Sequence, residues 1–174
     1  ASKETVSMSV HPSRDILTEF SGHAGDACWA SRFEILARPN FSSLTFSMDG
    51  KVAGSCLLVD AEAINAQGNS EELTVIRGLN PLEAVINRLN PESFMKALVA
   101  YLEPIAAKRG RKLAIVIDGH AGGSGTNRPQ LFNYLSGLKN ALTKQKGIDR
   151  KETDFNGYDI SLDTYVISSD VFKV

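Results

Sequence analysis

Leu113 to Leu138 reads LAIVIDGHAGGSGTNRPQLFNYLSGL, and the fold class turns on this stretch. The run Leu113-Ala-Ile-Val-Ile117 is short, unbroken and rich in β-branched residues, the pattern of a strand buried on both faces. It stops at Asp118-Gly119-His120 and passes through Ala-Gly-Gly-Ser-Gly. Thr126 or Asn127 can cap a helix with Pro129 in its first turn, along which Leu131, Tyr134, Leu135 and Leu138 recur at helical spacing. A buried strand, a glycine-rich turn and a new helix together let backbone N–H groups and side chains face a ligand.

Upstream lies the clearest β signal. Phe41 to Ser47 alternates, Met48-Asp49-Gly50-Lys51 supplies a hairpin turn, and Val52 to Val59 returns as an apolar strand. Gly54 inside the return strand marks a bulge or a close backbone approach. Asp60 to Glu71 reads as a polar connector, and Leu73 to Ile76 as a further strand stopped by Arg77-Gly78. Pro81 to Leu89 is a short helix, and Asn90-Pro91 starts a second one. That helix closes at Lys108-Arg109-Gly110, with Pro104 expected to kink it or mark a new turn. The N-terminal residues 1–13 suit a first strand, with Val6, Met8 and Val10 on one face; helices are expected over 14–20 and 27–37. Lys139 to Gly147 reads as a basic, solvated connector, and Asp154 to Leu162 with Tyr165 to Ser168 as a closing antiparallel pair. The order β-α-α-β-β-β-α-α-β-α-β-β predicts an α/β (α+β) fold, a mixed, mostly antiparallel sheet flanked by helices.

The bulk numbers narrow the class. At 174 residues the chain is one domain, 1–174, large enough for a single core; its start without Met suits a segment of a longer protein. A net charge of −1 gives no general drive toward nucleic acid or anionic membrane, and no apolar run approaches the ~20 residues that span a bilayer. Cys28 and Cys56 form no disulfide framework, and with three scattered histidines they lack metal-ligand spacing, so no metal is expected. Cys56, in a strand, is expected as a reduced, buried thiol, which points to a reducing, cytoplasmic compartment.

The element order resembles the GNAT superfamily of N-acetyltransferases. FSSLTFSMDGKVAGSCLLVD looks like that family's second and third strands, and LTVIRGLNP like its fourth strand running into the cofactor loop. Asn127 followed seven residues later by Tyr134 matches an Asn and a Tyr of the helix after the family's fifth strand. The resemblance implies transfer of an acetyl group from acetyl-CoA to a small-molecule or protein amine by direct attack. The cofactor's pantetheine arm would pair with backbone of Thr74, Val75, Ile76, Arg77 and Gly78, and Asn127 would contact it. Tyr134 would protonate the departing thiolate, and Glu72, Asp118 and His120 are the candidates for the base. The family's pyrophosphate loop, an Arg or Gln with spaced glycines, has no counterpart; Arg77 and Arg88 are the nearby cations, and Glu83 and Glu92 oppose phosphate.

Two other readings stand beside it. Gly25 with Ala27-Cys28-Trp29-Ala30-Ser31 resembles the nucleophile segment of papain-like cysteine peptidases, and His120 before Ala121 resembles their histidine. Asn127 or Asn156 would orient the imidazole, whereas the family's upstream Gln is replaced by Glu19. That reading makes the chain a cysteine hydrolase using Cys28 and His120. The third is a GNAT-like interaction module without acetyl-CoA activity, presenting residues 60–71 and 81–89 to a protein partner or to further domains.

Overall fold

The computed structural model describes residues 6–12, 40–117, 126, 128–147 and 163–173. Among them seven strands form one sheet: β1 (Val6–Pro12), β2 (Phe41–Met48), β3 (Lys51–Ile64), β4 (Ser70–Pro81), β5 (Lys112–Ile115), β6 (Thr143–Gly147) and β7 (Asp163–Val166). Two helices accompany them, α1 (Glu83–Lys108) and α2 (Pro129–Leu138). The strand order is β1-β2-β3-β4-β5-β7-β6, and β4–β5 is the parallel pair in an otherwise antiparallel sheet. That is the mixed sheet expected from the sequence. The helices expected over 14–20 and 27–37 lie outside the described residues. No helix among those described is long and apolar enough to cross a membrane.

Local chemistry explains the elements. Asp49 and Gly50 both take positive φ (54° and 77°), the turn geometry that joins two strands of right-handed twist. The β3–β4 turn is held by Asn65, whose Oδ1 accepts from the N–H groups of Gln67 and Asn69 at 3.0 and 2.9 Å. Within α1, Asn90 leaves helical geometry (φ 54°, ψ 161°) and its side chain accepts from Ser93 N–H at 2.9 Å. The short helix and its successor expected around Asn90-Pro91 are therefore two segments broken at Asn90. Pro104 causes no break; it and Ala100, whose carbonyl it cannot serve, lie on the exposed side where water is available.

The sheet has two different faces. Phe94, Met95, Leu98 and Leu102 of α1, with Leu131 and Leu135 of α2, pack on Leu44, Phe46, Cys56, Leu58, Ile76 and Leu79. Phe46 and Phe94 meet edge to face with centroids 5.1 Å apart. Across the sheet, Phe41, Leu57, Val59, Leu73 and Val75 pack with Ala61, Ala63 and Ala114. Small side chains suit that side, because the end of β3 also pairs with β6 (Ala63 with Gly147, Ile64 with Lys146). Through β4, β5, β7 and β6 the sheet thus closes on itself, and a closed interior has little room.

Three expectations need correction. Residues 60–71 are the far ends of β3 and β4 with a tight turn, because Ala61 and Ala63 alternate with outward Asp60 and Glu62. The Lys139–Gly147 connector is a 3-10 turn (Lys139–Ala141) followed by β6, an edge strand that needs no apolar side chains to pair. The closing antiparallel pair is therefore β6 with β7; residues 154–162, expected as its first strand, lie outside the described residues.

Candidate active site

The site is organised by the end of β4. Leu73 to Ile76 pairs with Lys112 to Ile115 of β5, and Val116 N–H still reaches the Ile76 carbonyl at 3.2 Å. Beyond that bond β4 continues to Pro81 with no further pairing to β5 among the described residues. At the same point β4 bulges against β3: Leu57 faces Arg77 and Ser55 faces Asn80, with Gly78 between them at φ 54°. The expected stop at Arg77-Gly78 is thus a bulge inside a strand that continues to Pro81. Side chains hold that run in place. The Thr126 hydroxyl donates to the Leu79 carbonyl and accepts from Arg128 N–H at 3.2 Å, while Arg128 Nε–H donates to the Pro81 carbonyl.

Gly54 makes this end possible. Its φ of +137° suits glycine, and a Cβ there would stand 2.5 Å from Pro81 Cα and 2.6 Å from the Asn80 carbonyl oxygen. Leu82 N–H donates to the Ala53 carbonyl at 2.8 Å, so β3 touches β4 backbone to backbone as α1 begins. Neither α1 nor α2 has a side-chain N-cap; α2 follows Arg128 at the cap position, not Thr126 or Asn127. Both helix starts border one cavity of about 160 Å³ lined by Glu83, Ile86, Arg128, Pro129 and Gln130.

No family model matches the chain, and no curated protein matches it. Solved structures do. An aminoglycoside N-acetyltransferase, AAC(6')-Iy in complex with CoA, superposes with a TM-score of 0.50 at 13% identity, covering 80% of this chain and 87% of that one. This is the fold of the GNAT-type N-acetyltransferases. An N-acyl amino acid synthase from uncultured soil microbes matches with a TM-score of 0.49 at 11% identity, over 97% of this chain and 91% of that chain. A conserved protein of unknown function from Enterococcus faecalis gives a TM-score of 0.43 at 16% identity; this chain spans 29% of its length.

On the GNAT fold the residues singled out in the sequence separate into groups. Thr74 to Ile76 are buried and engaged with β5, and Thr74 donates its hydroxyl to Asp60 Oδ1 at 2.9 Å. Gly78 to Pro81 continue β4 beyond its last pair with β5. Arg77 is in the sheet interior at 1% exposure. Arg88 is on the surface, paired with Asp49 at 2.8 Å. Glu72 is exposed and opposite Glu62, near the start of β4. Tyr134 is half-buried on α2 against the core shared with α1. Burial, and then the nearby Glu92 carboxylate, push its phenol pKa up. Asp118, His120, Asn127, Asn156 and Cys28 lie outside the described residues. Cys56 is a free, buried thiol, as expected.

One feature escaped the sequence reading. Facing away from α1, beside the bulge, stand Ser43, Thr45 and Ser55, exposed by 0%, 6% and 0%. Their hydroxyl oxygens have no hydrogen-bond partner among the described residues. Register sets Thr45 opposite Ser55 and Ser55 opposite Asn80, with Ser43, Leu57 and Arg77 forming the adjoining row. Leaving a buried hydroxyl unsatisfied costs about 1–3 kcal/mol, so three together are unusual in an apolar sheet. The signal was the alternation of Ser43 and Thr45 with Leu44 and Phe46, which marks a polar face without saying whether it is wet.

Proposed function

We propose that this chain is an N-acyltransferase that moves an acyl group, acetyl in the simplest case, from a CoA thioester to an amine. The observation that carries the reading is the end of β4–β5 pairing at Ile76 while β4 runs on through the Gly78 bulge to Pro81. The aminoglycoside N-acetyltransferase of like fold is a complex with CoA, which lends support to the same cofactor class here.

The donor set supports an anionic group beside that end of β4. Two helix N-termini without side-chain caps border one cavity, and Arg128 lines it with a guanidinium; Glu83 is the opposing charge. Arg128 and the first-turn amides of α1 and α2 would hold the cofactor's phosphates in place of the usual glycine loop. Bound there, an acyl-CoA would supply an activated thioester. The chain's own residues do the rest. Thr126 and Arg128 hold the start of α2 against the end of β4. Tyr134 keeps its proton through neutral pH and serves as the acid for the leaving thiolate. Asp118 or His120, next along the chain from β5, takes the proton lost by the attacking amine. Asn127, beside the Thr126 and Arg128 anchors, contacts the cofactor.

The test is release of free CoA thiol from acetyl-CoA in the presence of an amine panel. Wild-type protein should release thiol only with an amine present, Tyr134→Phe should slow release at least tenfold, and Cys28→Ala should leave it intact. Loss of activity in Cys28→Ala with Tyr134→Phe unaffected would replace this reading by a cysteine hydrolase.

A further inference from the structure

We infer that the cavity bordered by the starts of α1 and α2 seats the pantoyl unit of the acyl donor, and that Glu83 reads the hydroxyl of that unit. The inference rests on the acyltransferase reading and names the part of the donor that this chain selects.

The cavity adjoins the end of β4. Pro81 ends that strand, Glu83 begins α1, and Arg128 Nε–H donates to the Pro81 carbonyl while the same residue lines the cavity. An acyl-pantetheine arm laid along Gly78 to Pro81 therefore leads toward it. Size narrows the occupant. The volume is about 160 Å³, and a protein cavity of about 150 Å³ takes a benzene-sized guest. The pantoyl unit is of that size, a short carbon chain with a geminal pair of methyl groups, about six carbons in all.

The lining divides as that unit requires. Ile86 and Pro129 are apolar surface for the geminal methyls. Arg128 brings a guanidinium toward the phosphate ester at one end of the unit, and Gln130 an amide N–H toward the carbonyl at the other. Glu83 decides the assignment. A carboxylate beside a phosphate is a cost by like-charge repulsion, unless the ligand carries an O–H for it to accept. The pantoyl hydroxyl is the one hydroxyl on the thioester arm, and it lies close to the phosphate. The ribose at the nucleotide end of the donor has hydroxyls but no branched apolar surface for Ile86 and Pro129. A site that bonds a hydroxyl also selects sharply, because an analogue without it leaves the acceptor unpaired.

The experiment is calorimetric titration of the full chain with two acyl donors, acetyl-CoA and acetyl-CoA whose pantoyl hydroxyl is replaced by hydrogen. Each is titrated into wild type, Glu83→Ala, Glu83→Gln and Arg128→Ala. Glu83 is exposed and alanine suits a helix, so the first variant keeps the fold. The inference expects acetyl-CoA to bind Glu83→Ala about tenfold or more weakly than wild type. Glu83→Gln, whose amide oxygen still accepts, should fall between the two. The deoxy analogue should bind wild type about tenfold or more weakly than acetyl-CoA, and should lose nothing further in Glu83→Ala. Arg128→Ala should weaken both donors by the same factor, because both keep the phosphate. Two results overturn the inference. One is a Glu83→Ala protein that binds acetyl-CoA as well as or better than wild type, which makes the carboxylate a repulsive charge alone. The other is a deoxy analogue that binds wild type as well as acetyl-CoA does. Either result in a chain that binds acetyl-CoA fails this inference alone; a chain that binds neither donor fails the acyltransferase reading.

Discussion

Replacing Gly54 by Ala tests whether the end of β4 is held as tightly as the site requires. The new Cβ would lie 2.5 Å from Pro81 Cα and 2.6 Å from the Asn80 carbonyl oxygen, with Leu82 N at 3.1 Å. All three are backbone atoms, so no side chain can rotate away. Ordinary contact begins near 3.4 Å, and the strand must retreat by roughly 0.9 Å. A non-glycine residue at φ +137° adds strain of about 1–3 kcal/mol. Overpacking adds ~1–3 kcal/mol, and weakening the Leu82 N–H bond to Ala53 adds about 1 kcal/mol. The expected loss is ~3–7 kcal/mol, a fall in Tm of about 6–28 °C for a chain of this size. Gly68→Ala is the control: its φ is +81° and nothing lies within 4 Å, so only conformational strain of ~1–2 kcal/mol remains. Urea unfolding of both variants measures the difference. Because Leu79 and Pro81 accept the bonds from Thr126 and Arg128, Gly54→Ala should also weaken the response to acetyl-CoA. A Gly54→Ala protein no less stable than Gly68→Ala would refute the close approach and the tight β4 end built on it.

In a Cys28→Ala background, Cys56 should resist alkylation in the folded protein and react only on unfolding, since burial pushes its thiol pKa well up; fast labelling under native conditions would contradict its burial. Asp60 accepts from Thr74 and lies near Arg109 (3.3 Å) and Arg111 (3.9 Å). A double-mutant cycle of Asp60→Ala and Thr74→Val should give a coupling of about 1 kcal/mol, and a value near zero would dismiss the bond as incidental. Tyr134 is neutral in the fold with a raised pKa, so its contribution is full below the unfolded phenol value of ~10 and declines as pH rises through the folded one. Stability against pH should therefore fall less steeply above ~10 in Tyr134→Phe than in wild type; identical slopes would count against the shift.

What the sequence disclosed was what local chemistry decides. Asp49-Gly50 announces its hairpin, Asn90-Pro91 its helix break, and Arg109-Gly110 the end of α1, where Gly110 takes φ +69°. Gly54 could be read as a close approach because a glycine inside an apolar strand has few other uses. The misreadings involve partners far along the chain. The polar ends of β3 and β4 are strands because Arg109, Arg111 and Lys112 bind Asp60, the Ala61 and Leu73 carbonyls, and Glu71, roughly 40–50 residues away. β6 carries little apolar signal of its own and is a strand through its pairing with β7 and β3. The same holds at the site. Gly78 looks like a strand stop until β3 defines it as a bulge, and Thr126 and Arg128 act on carbonyls 47 residues upstream. The Ser43, Thr45 and Ser55 face is polar in sequence, and its burial is not legible from the strand alternation.

The most direct test of the central claim is acetyl-CoA binding followed by calorimetry, in wild-type protein and in Arg128→Ala. The account predicts saturable one-to-one binding to the wild type and at least tenfold weaker binding to Arg128→Ala, with the far-ultraviolet dichroism of the variant unchanged. Absence of binding to wild-type protein at millimolar acetyl-CoA, or equal binding by a folded Arg128→Ala, would contradict it.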